Sequence, residues 1–243
     1  FRSVETSFDP KKWKIEKYLD DCIDLERYGL SSKEKNWLKA WQFFLQNINR
    51  EVIPGFPLWV DAFNEEVDLP EGTPGWKKAF LEKNSEFYIQ HRKFIDSWKK
   101  KEWGESGRVE DFPASRRKFE WQAGYFQPTK SDRDLYKLVL QLRPSGLRVK
   151  PPTYLPALVA MTQTSIIGEF ERRITPIEAS KLQGFTPLSP KGKTGIKAKW
   201  YSSALKRSAI SDASAYKQLG NAVNVGVARL ALQALFEAKE NAG

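Results

Sequence analysis

Arg172-Arg173-Ile174-Thr175-Pro176-Ile177-Glu178-Ala179-Ser180-Lys181-Leu182-Gln183-Gly184-Phe185 is the stretch on which the reading of this chain turns. Thr175 carries a side-chain oxygen suited to cap a helix, and Pro176 suits the first helical position, where its missing N–H would be unpaired anyway. Glu178 places negative charge in the positive first turn, and Gly184 supplies a stop. The spacing predicts a short helix between Thr175 and Gly184.

Downstream, residues 179–211 contain no acidic side chain but hold Lys181, Lys191, Lys193, Lys197, Lys199, Lys206 and Arg207. Such a segment prefers phosphate, and Pro187-Leu188-Ser189-Pro190-Lys191-Gly192-Lys193 within it reads as an exposed loop that orders on DNA. Upstream, short β-prone runs at Leu138-Val139-Leu140, at Ala157-Leu158-Val159-Ala160 and at Ser165-Ile166-Ile167-Gly168 predict a small sheet with long loops. Arg143-Pro144-Ser145-Gly146-Leu147-Arg148-Val149-Lys150 reads as one of those loops. Its small residues permit close backbone approach and its cations suit phosphates or guanine edges, although a solvated Arg-rich hairpin would look the same.

Residues 10–103 are dense in aromatics at helical spacing. Ser31 and Glu34 form a capping box ahead of Trp37, Leu38, Trp41, Phe44, Leu45 and Ile48. A second long helix is expected after Thr73-Pro74, with Phe80, Asn84, Phe87, His91, Phe94 and Trp98 in one stripe. Between them, Ile53 to Trp59 has the punctuation of an ordered loop. Core packing, rather than base stacking, is the expected use of these tryptophans.

The sequence has 40 Lys and Arg against 30 Asp and Glu, a formal charge of +10 over 243 residues. That balance favours a polyanionic partner, yet a ribosomal, membrane-surface or merely soluble basic protein would share it. The single cysteine, Cys22, excludes an internal disulfide framework and a cysteine-held zinc. Its neighbours Asp20, Asp21 and Asp24 disfavour the thiolate a nucleophile needs. His91, the one histidine, lacks companions at metal-ligand spacing and reads as structural or surface. No apolar run approaches the roughly 18 residues of a membrane span, and no signal-like segment opens the chain. An opening at Phe1 reads as a cut in a longer polypeptide.

Two segments carry a resemblance. Arg172 to Phe185 resembles the ninth conserved block of cytosine-5 DNA methyltransferases, R-x-x-T-P-x-E-x-x-R-L-Q-G-F-P. Ala215-Tyr216-Lys217-Gln218-Leu219-Gly220-Asn221-Ala222-Val223, followed by Val227, Leu230, Ala231 and Ala234 on one helical face, resembles the tenth. Pro156 to Gly168 and Pro113 to Gly124 are also similar to a bacterial branch of that family. Departures are Ala157, where a Thr is usual, and Thr186-Pro187 after Phe185.

The resemblance implies an α+β chain: a helix-rich recognition part over 1–125, a small β recognition part over 126–170, and conserved blocks over 171–243 whose last helix returns to a Rossmann-like methyltransferase domain. Arg172, Thr175, Glu178, Gln183 and Gly184 would be structural. Gly220, Asn221 and Ala222 would help line an S-adenosylmethionine pocket, with Gly220 in a turn and Asn221 opening the closing helix. Double-stranded DNA would meet Arg143, Ser145, Gly146, Arg148, Lys150, Thr162, Gln163, Lys193, Lys197 and Lys199. The family's Pro-Cys-Gln, Glu-Asn-Val and Gln-x-Arg-x-Arg segments and its early glycine-rich turn do not occur in this sequence. No residue is therefore expected to be catalytic, and the partner would be the N-terminal catalytic region of the same protein or a separate catalytic subunit. A bacterial, nucleoid-associated cytoplasmic setting within restriction-modification follows. The competing readings are a natural specificity subunit and a basic helical nucleic-acid-binding module unrelated to methylation.

Overall fold

The computed structural model describes residues 15–20, 24–49, 52–67, 69–124, 133–158, 164–185 and 211–240. They divide into two compact units: a sheet unit of residues 25–152 and 165–173, and a helical unit of residues 1–24, 153–164 and 174–243.

In the sheet unit, α1 (Leu25–Tyr28) precedes α2 (Ser32–Asn47), which opens on the expected capping box: Ser31 accepts from the Glu34 backbone and the Glu34 side chain accepts from Ser31 N–H. The apolar stripe of α2 buries Leu38, Trp41, Phe44 and Leu45 completely. The helix after Pro74, α3, runs from Gly75 to Lys100 and leaves helical geometry once, at His91. Trp41 stacks on Phe119 at 4.8 Å, and Phe44 meets Trp98 at 4.7 Å. Both buried indoles satisfy their N–H groups on backbone carbonyls: Trp41 donates to Arg116 O and Trp98 to Ala40 O, each at 2.9 Å. These tryptophans are core, as burial of a large ring with its one donor paired requires.

Asn84 explains itself in the structure. It is fully buried within an otherwise apolar stripe, where its amide donates to Pro57 O and Phe80 O while its oxygen accepts from Trp59 N–H. It thereby clamps the Ile53 to Trp59 segment to α3. The end of that segment is not loop but edge strand β1 (Leu58–Trp59).

The other strands are β2 (Lys118–Trp121), β3 (Val139–Arg143), β4 (Gly146–Lys150), β5 (Ile166–Ile167) and β6 (Arg172–Arg173), in the order β1-β2-β4-β3-β5-β6. Neighbours are antiparallel except β2 and β4, which run parallel, so the sheet is mixed and the architecture α+β. Its strands come from both sides of residue 125, the position at which the sequence reading separated a helix-rich part from a β part. Phe119, Leu142, Leu147 and Val149 face the aromatic core.

Two expectations are decided here. Of the two readings of Arg143 to Lys150, loop and hairpin, the hairpin holds: β3 and β4 are joined by Pro144-Ser145, with Arg143 opposite Gly146. The alternation of Leu140 and Leu142 with Leu147 and Val149 buries one face of both strands, and that burial sets the register. Conversely, Ala157-Leu158 is irregular rather than strand, with Val159-Ala160 outside the described residues. Pro151, Pro152 and Pro156 remove ladder donors just where a strand would need them.

In the helical unit, α4 (Pro176–Leu182) follows Thr175, α5 spans Asp212–Asn221 with Ser211 as cap, and α6 spans Val225–Glu240. Asp212 to Lys239 is long and apolar enough by composition to cross a membrane. The backbone is extended at Ala222, however, which splits the stretch in two. The 16 residues of α6 rise about 24 Å, short of a bilayer core of roughly 30 Å.

Candidate functional site

In the helical unit the two family-like segments are fastened together. Thr175 accepts from Glu178 N–H at 3.1 Å, and the Glu178 carboxylate accepts from Thr175 N–H and from Asp20 N–H, each at 2.8 Å. Glu178 is fully buried, so one carboxylate closes a helix start and holds an N-terminal segment far away in sequence. Lys181, one turn on, pairs with Asp20. Gly184 takes the left-handed conformation, φ 79°, and a Cβ there would stand 3.2 Å from Val225 Cβ.

Gln183 does the fastening. Its side-chain amide donates to Leu219 O at 3.1 Å, and its carbonyl accepts from Val225 N–H at 2.9 Å. Asn224 reciprocates, donating to Leu182 O at 3.0 Å while its own oxygen accepts from Gly226 and Val227 N–H. Tyr216, buried in α5, donates to Ile174 O at 2.6 Å.

This geometry corrects the expected placement of Gly220 and Asn221. Gly220 lies inside α5 and not in a turn, and Asn221 is the last residue of α5 rather than the first of the closing helix. The residue that opens α6 is Asn224, which the sequence reading passed over; its position just before Val225 with an Asx side chain was the available signal. Asn221 is exposed and Ala222 half-buried. The side chains of α6 leave Val225, Leu232, Leu235 and Phe236 exposed on one side and Val227 and Leu230 on the other.

In the sheet unit the hairpin presents Pro144 and Ser145 at its exposed tip, beside half-buried Arg143. Gly146 needs its glycine: φ is 132°, and a Cβ would meet Lys118 O at 2.7 Å. Arg148 is already engaged, its guanidinium donating to Glu120 at 2.7 and 2.9 Å. Next to it in register, Gln141 is buried with its side-chain oxygen lacking a hydrogen bond. Lys150 is half-buried at the far end of β4. Arg172 is buried, its guanidinium against the Phe170 ring and donating to Arg173 O. Arg173 pairs with Glu34 at the start of α2. Burial works against charge on Glu34, but the Arg173 guanidinium and the Ser31 capping hydrogen bonds outweigh it and hold the carboxyl below its ordinary range. Burial lowers the Arg116 guanidinium pKa, with nearby Glu34 acting the other way.

Thr162, Gln163, Lys193, Lys197 and Lys199 lie outside the described residues, as does Cys22. Among the described residues no group of His, Cys, Asp or Glu side chains is placed to hold a metal ion.

Similarity to a known protein supports a methyltransferase-related region. The chain is 33% identical over 246 aligned positions to the Type II methyltransferase M.AluI of Cellulosimicrobium cellulans, an alignment that takes in 82% of this chain. It spans 42% of that relative's length. No family model matches the chain. No solved structure matches it significantly.

Proposed function

We propose that this chain docks on double-stranded DNA, selects the sequence, and completes the S-adenosylmethionine pocket of a cytosine-5 DNA methyltransferase whose catalytic cysteine loop belongs to another region or subunit. The observation that carries the reading is α6. It is fixed at its start by Gln183 and Asn224 but apolar and exposed on two sides. A helix apolar most of the way round is built to be buried, and the resemblance of its flanking segment makes the sheet of a cofactor domain the fitting cover.

The break between α5 and α6 fits a share in a cofactor wall. Asn221 offers a donor and an acceptor where the chain turns extended at Ala222, and Gly220 stands behind them in the last turn of α5. S-adenosylmethionine, when bound, supplies an electrophilic methyl group. This chain's part is to orient that cofactor and shut out water, while Glu178 and Gln183 keep the wall in place. Methyl transfer to carbon 5 of cytosine needs a thiolate addition to carbon 6, and Cys22 lacks the flanking Pro and Gln of the family loop. The chain by itself is therefore proposed to transfer no methyl group.

On the DNA side, the Pro144-Ser145 tip, Arg143 and Gly146 read base edges or phosphates, joined by Lys150, Thr162 and Gln163. Lys193, Lys197 and Lys199 contribute phosphate contacts. Arg148, held by Glu120, aligns the hairpin and contacts DNA only by exchanging that partner. Binding titrations separate the two arginines: R143A weakens DNA binding with the thermal midpoint unchanged, whereas R148A lowers the midpoint. Unchanged DNA affinity and target choice in R143A would remove the hairpin from the reading. A DNA-modifying role accords with a cytoplasmic setting.

A further inference from the structure

We infer that the sheet unit binds one structural water molecule between Gln141 and Ser165, and that this water extends the support of Arg148 from β4 to the start of β5. The inference goes beyond the DNA-docking reading and holds whether or not the hairpin meets DNA.

The register lines up four polar side chains across the sheet. Glu120 of β2 is paired with Arg148 of β4, and Arg148 with Gln141 of β3. Leu140 is paired with Ile166 of β5, so one step on, Ser165 stands opposite Gln141. Paired residues share a face, and successive residues of a strand alternate between faces. Because Phe119, Leu140, Leu147, Val149 and Ile166 belong to the aromatic core, the row Glu120, Arg148, Gln141 and Ser165 lies on the other side. Its two ends differ. At one end the charge is met: Glu120 accepts from Arg148 Nε at 2.9 Å and Nη2 at 2.7 Å, and from the Gln122 side-chain amide. At the other end Gln141 is 4% exposed and Ser165 1%, and among the described residues neither Gln141 Oε1 nor Ser165 Oγ has a hydrogen-bond partner.

Chemistry selects water as the occupant. Buried polar atoms are almost always paired with protein or ordered water, because desolvation without a partner is costly. Val139 and Ile167, buried two residues along on the same face, bring no side-chain polar atom. Gln141 Oε1 only accepts, whereas the Ser165 hydroxyl donates and accepts. A neutral molecule that donates to both bridges adjacent strands, whose paired Cβ atoms lie about 5 Å apart. An anion would need a free cation, and the Arg148 guanidinium is already held by Glu120; a metal ion would be repelled by that same guanidinium. Buried waters make about three hydrogen bonds each. Arg148 Nη1, the guanidinium nitrogen that Glu120 does not take, supplies the third by donating to the water.

The test is a crystal structure of the whole chain at a resolution that shows waters, with thermal unfolding of one variant beside it. The expected result is a single density peak within about 3.2 Å of Gln141 Oε1, Ser165 Oγ and Arg148 Nη1. An empty map at that place, a direct hydrogen bond between Gln141 and Ser165, or another protein atom there would overturn the inference. Q141M keeps the length of the side chain and removes its oxygen. With a water bound, the methionine strips one of its partners and should lower the thermal midpoint by about 3 °C. A dry, unpaired oxygen would instead be relieved by the change, so an unchanged or raised midpoint would overturn the inference equally. Should Q141M fail to fold, the density in the unaltered chain decides alone.

Discussion

Glu178 does more in this structure than its place in a helix start announces. It is fully buried and accepts from two backbone N–H groups, one of them from Asp20. Hydrogen bonds to a charged acceptor contribute about 1.5 to 3 kcal/mol each, so E178A should destabilise the helical unit by about 3 kcal/mol in urea unfolding, with E178Q recovering part of the loss. The local half of this role was legible because a capping box joins residues three apart; the Asp20 contact was not, since nothing in the sequence marks a partner so distant. Glu34 repeats the pattern in the sheet unit, where capping was read and the ion pair with Arg173 was missed. Its carboxyl is held below the ordinary value. The stability it lends is therefore complete above its unfolded pKa and drains away as pH falls through the lowered folded one. Thermal midpoints followed from neutral to acid pH should show E34Q with a shallower acid decline than the unaltered chain; parallel declines would assign the acid sensitivity elsewhere.

At the scale of elements, helices were easier to foresee than strands. The stripes of α2 and α3 are carried by spacing within one segment. The hairpin depends on Arg143 facing Gly146 and on β2 lying parallel to β4, relations between segments that no local pattern records. The β1 edge strand escaped notice for the same reason: what fixes it is the Asn84 amide from α3. Gly220 was misplaced because glycine was read as a turn former, whereas here the helix continues through it for one residue and breaks at Ala222. The break is held by Gln183 and Asn224, which bridge the same pair of helix ends from opposite directions. Q183A and N224A should each cost about 1 kcal/mol. A double-mutant cycle should return a coupling of at least about 0.5 kcal/mol; strict additivity would mean that the two staples act independently.

For the whole molecule, the telling feature is apolar surface left exposed on α6. Leu235 and Phe236 are each 65% exposed on α6, and the chain corresponds to 42% of the methyltransferase it is similar to. Exposed side chains change stability by only about 0.5 kcal/mol when replaced. L235D and F236D should accordingly leave unfolding of this chain nearly unchanged, yet abolish its association with a catalytic region in a pull-down or titration. Loss of stability instead would show that α6 is already covered. The overall α+β architecture was within reach of the sequence, whereas the units interleave along the chain, which passes between them after Asp24, Pro152, Thr164 and Arg173, and only Pro151-Pro152 gives one of those crossings a local mark.

The most direct trial of the account is transfer of a labelled methyl group from S-adenosylmethionine to DNA, assayed with this chain alone and with this chain mixed with a polypeptide bearing the Pro-Cys-Gln, Glu-Asn-Val and Gln-x-Arg-x-Arg segments. The account predicts no transfer from the chain alone and transfer to carbon 5 of cytosine from the mixture. Transfer by this chain alone would contradict it.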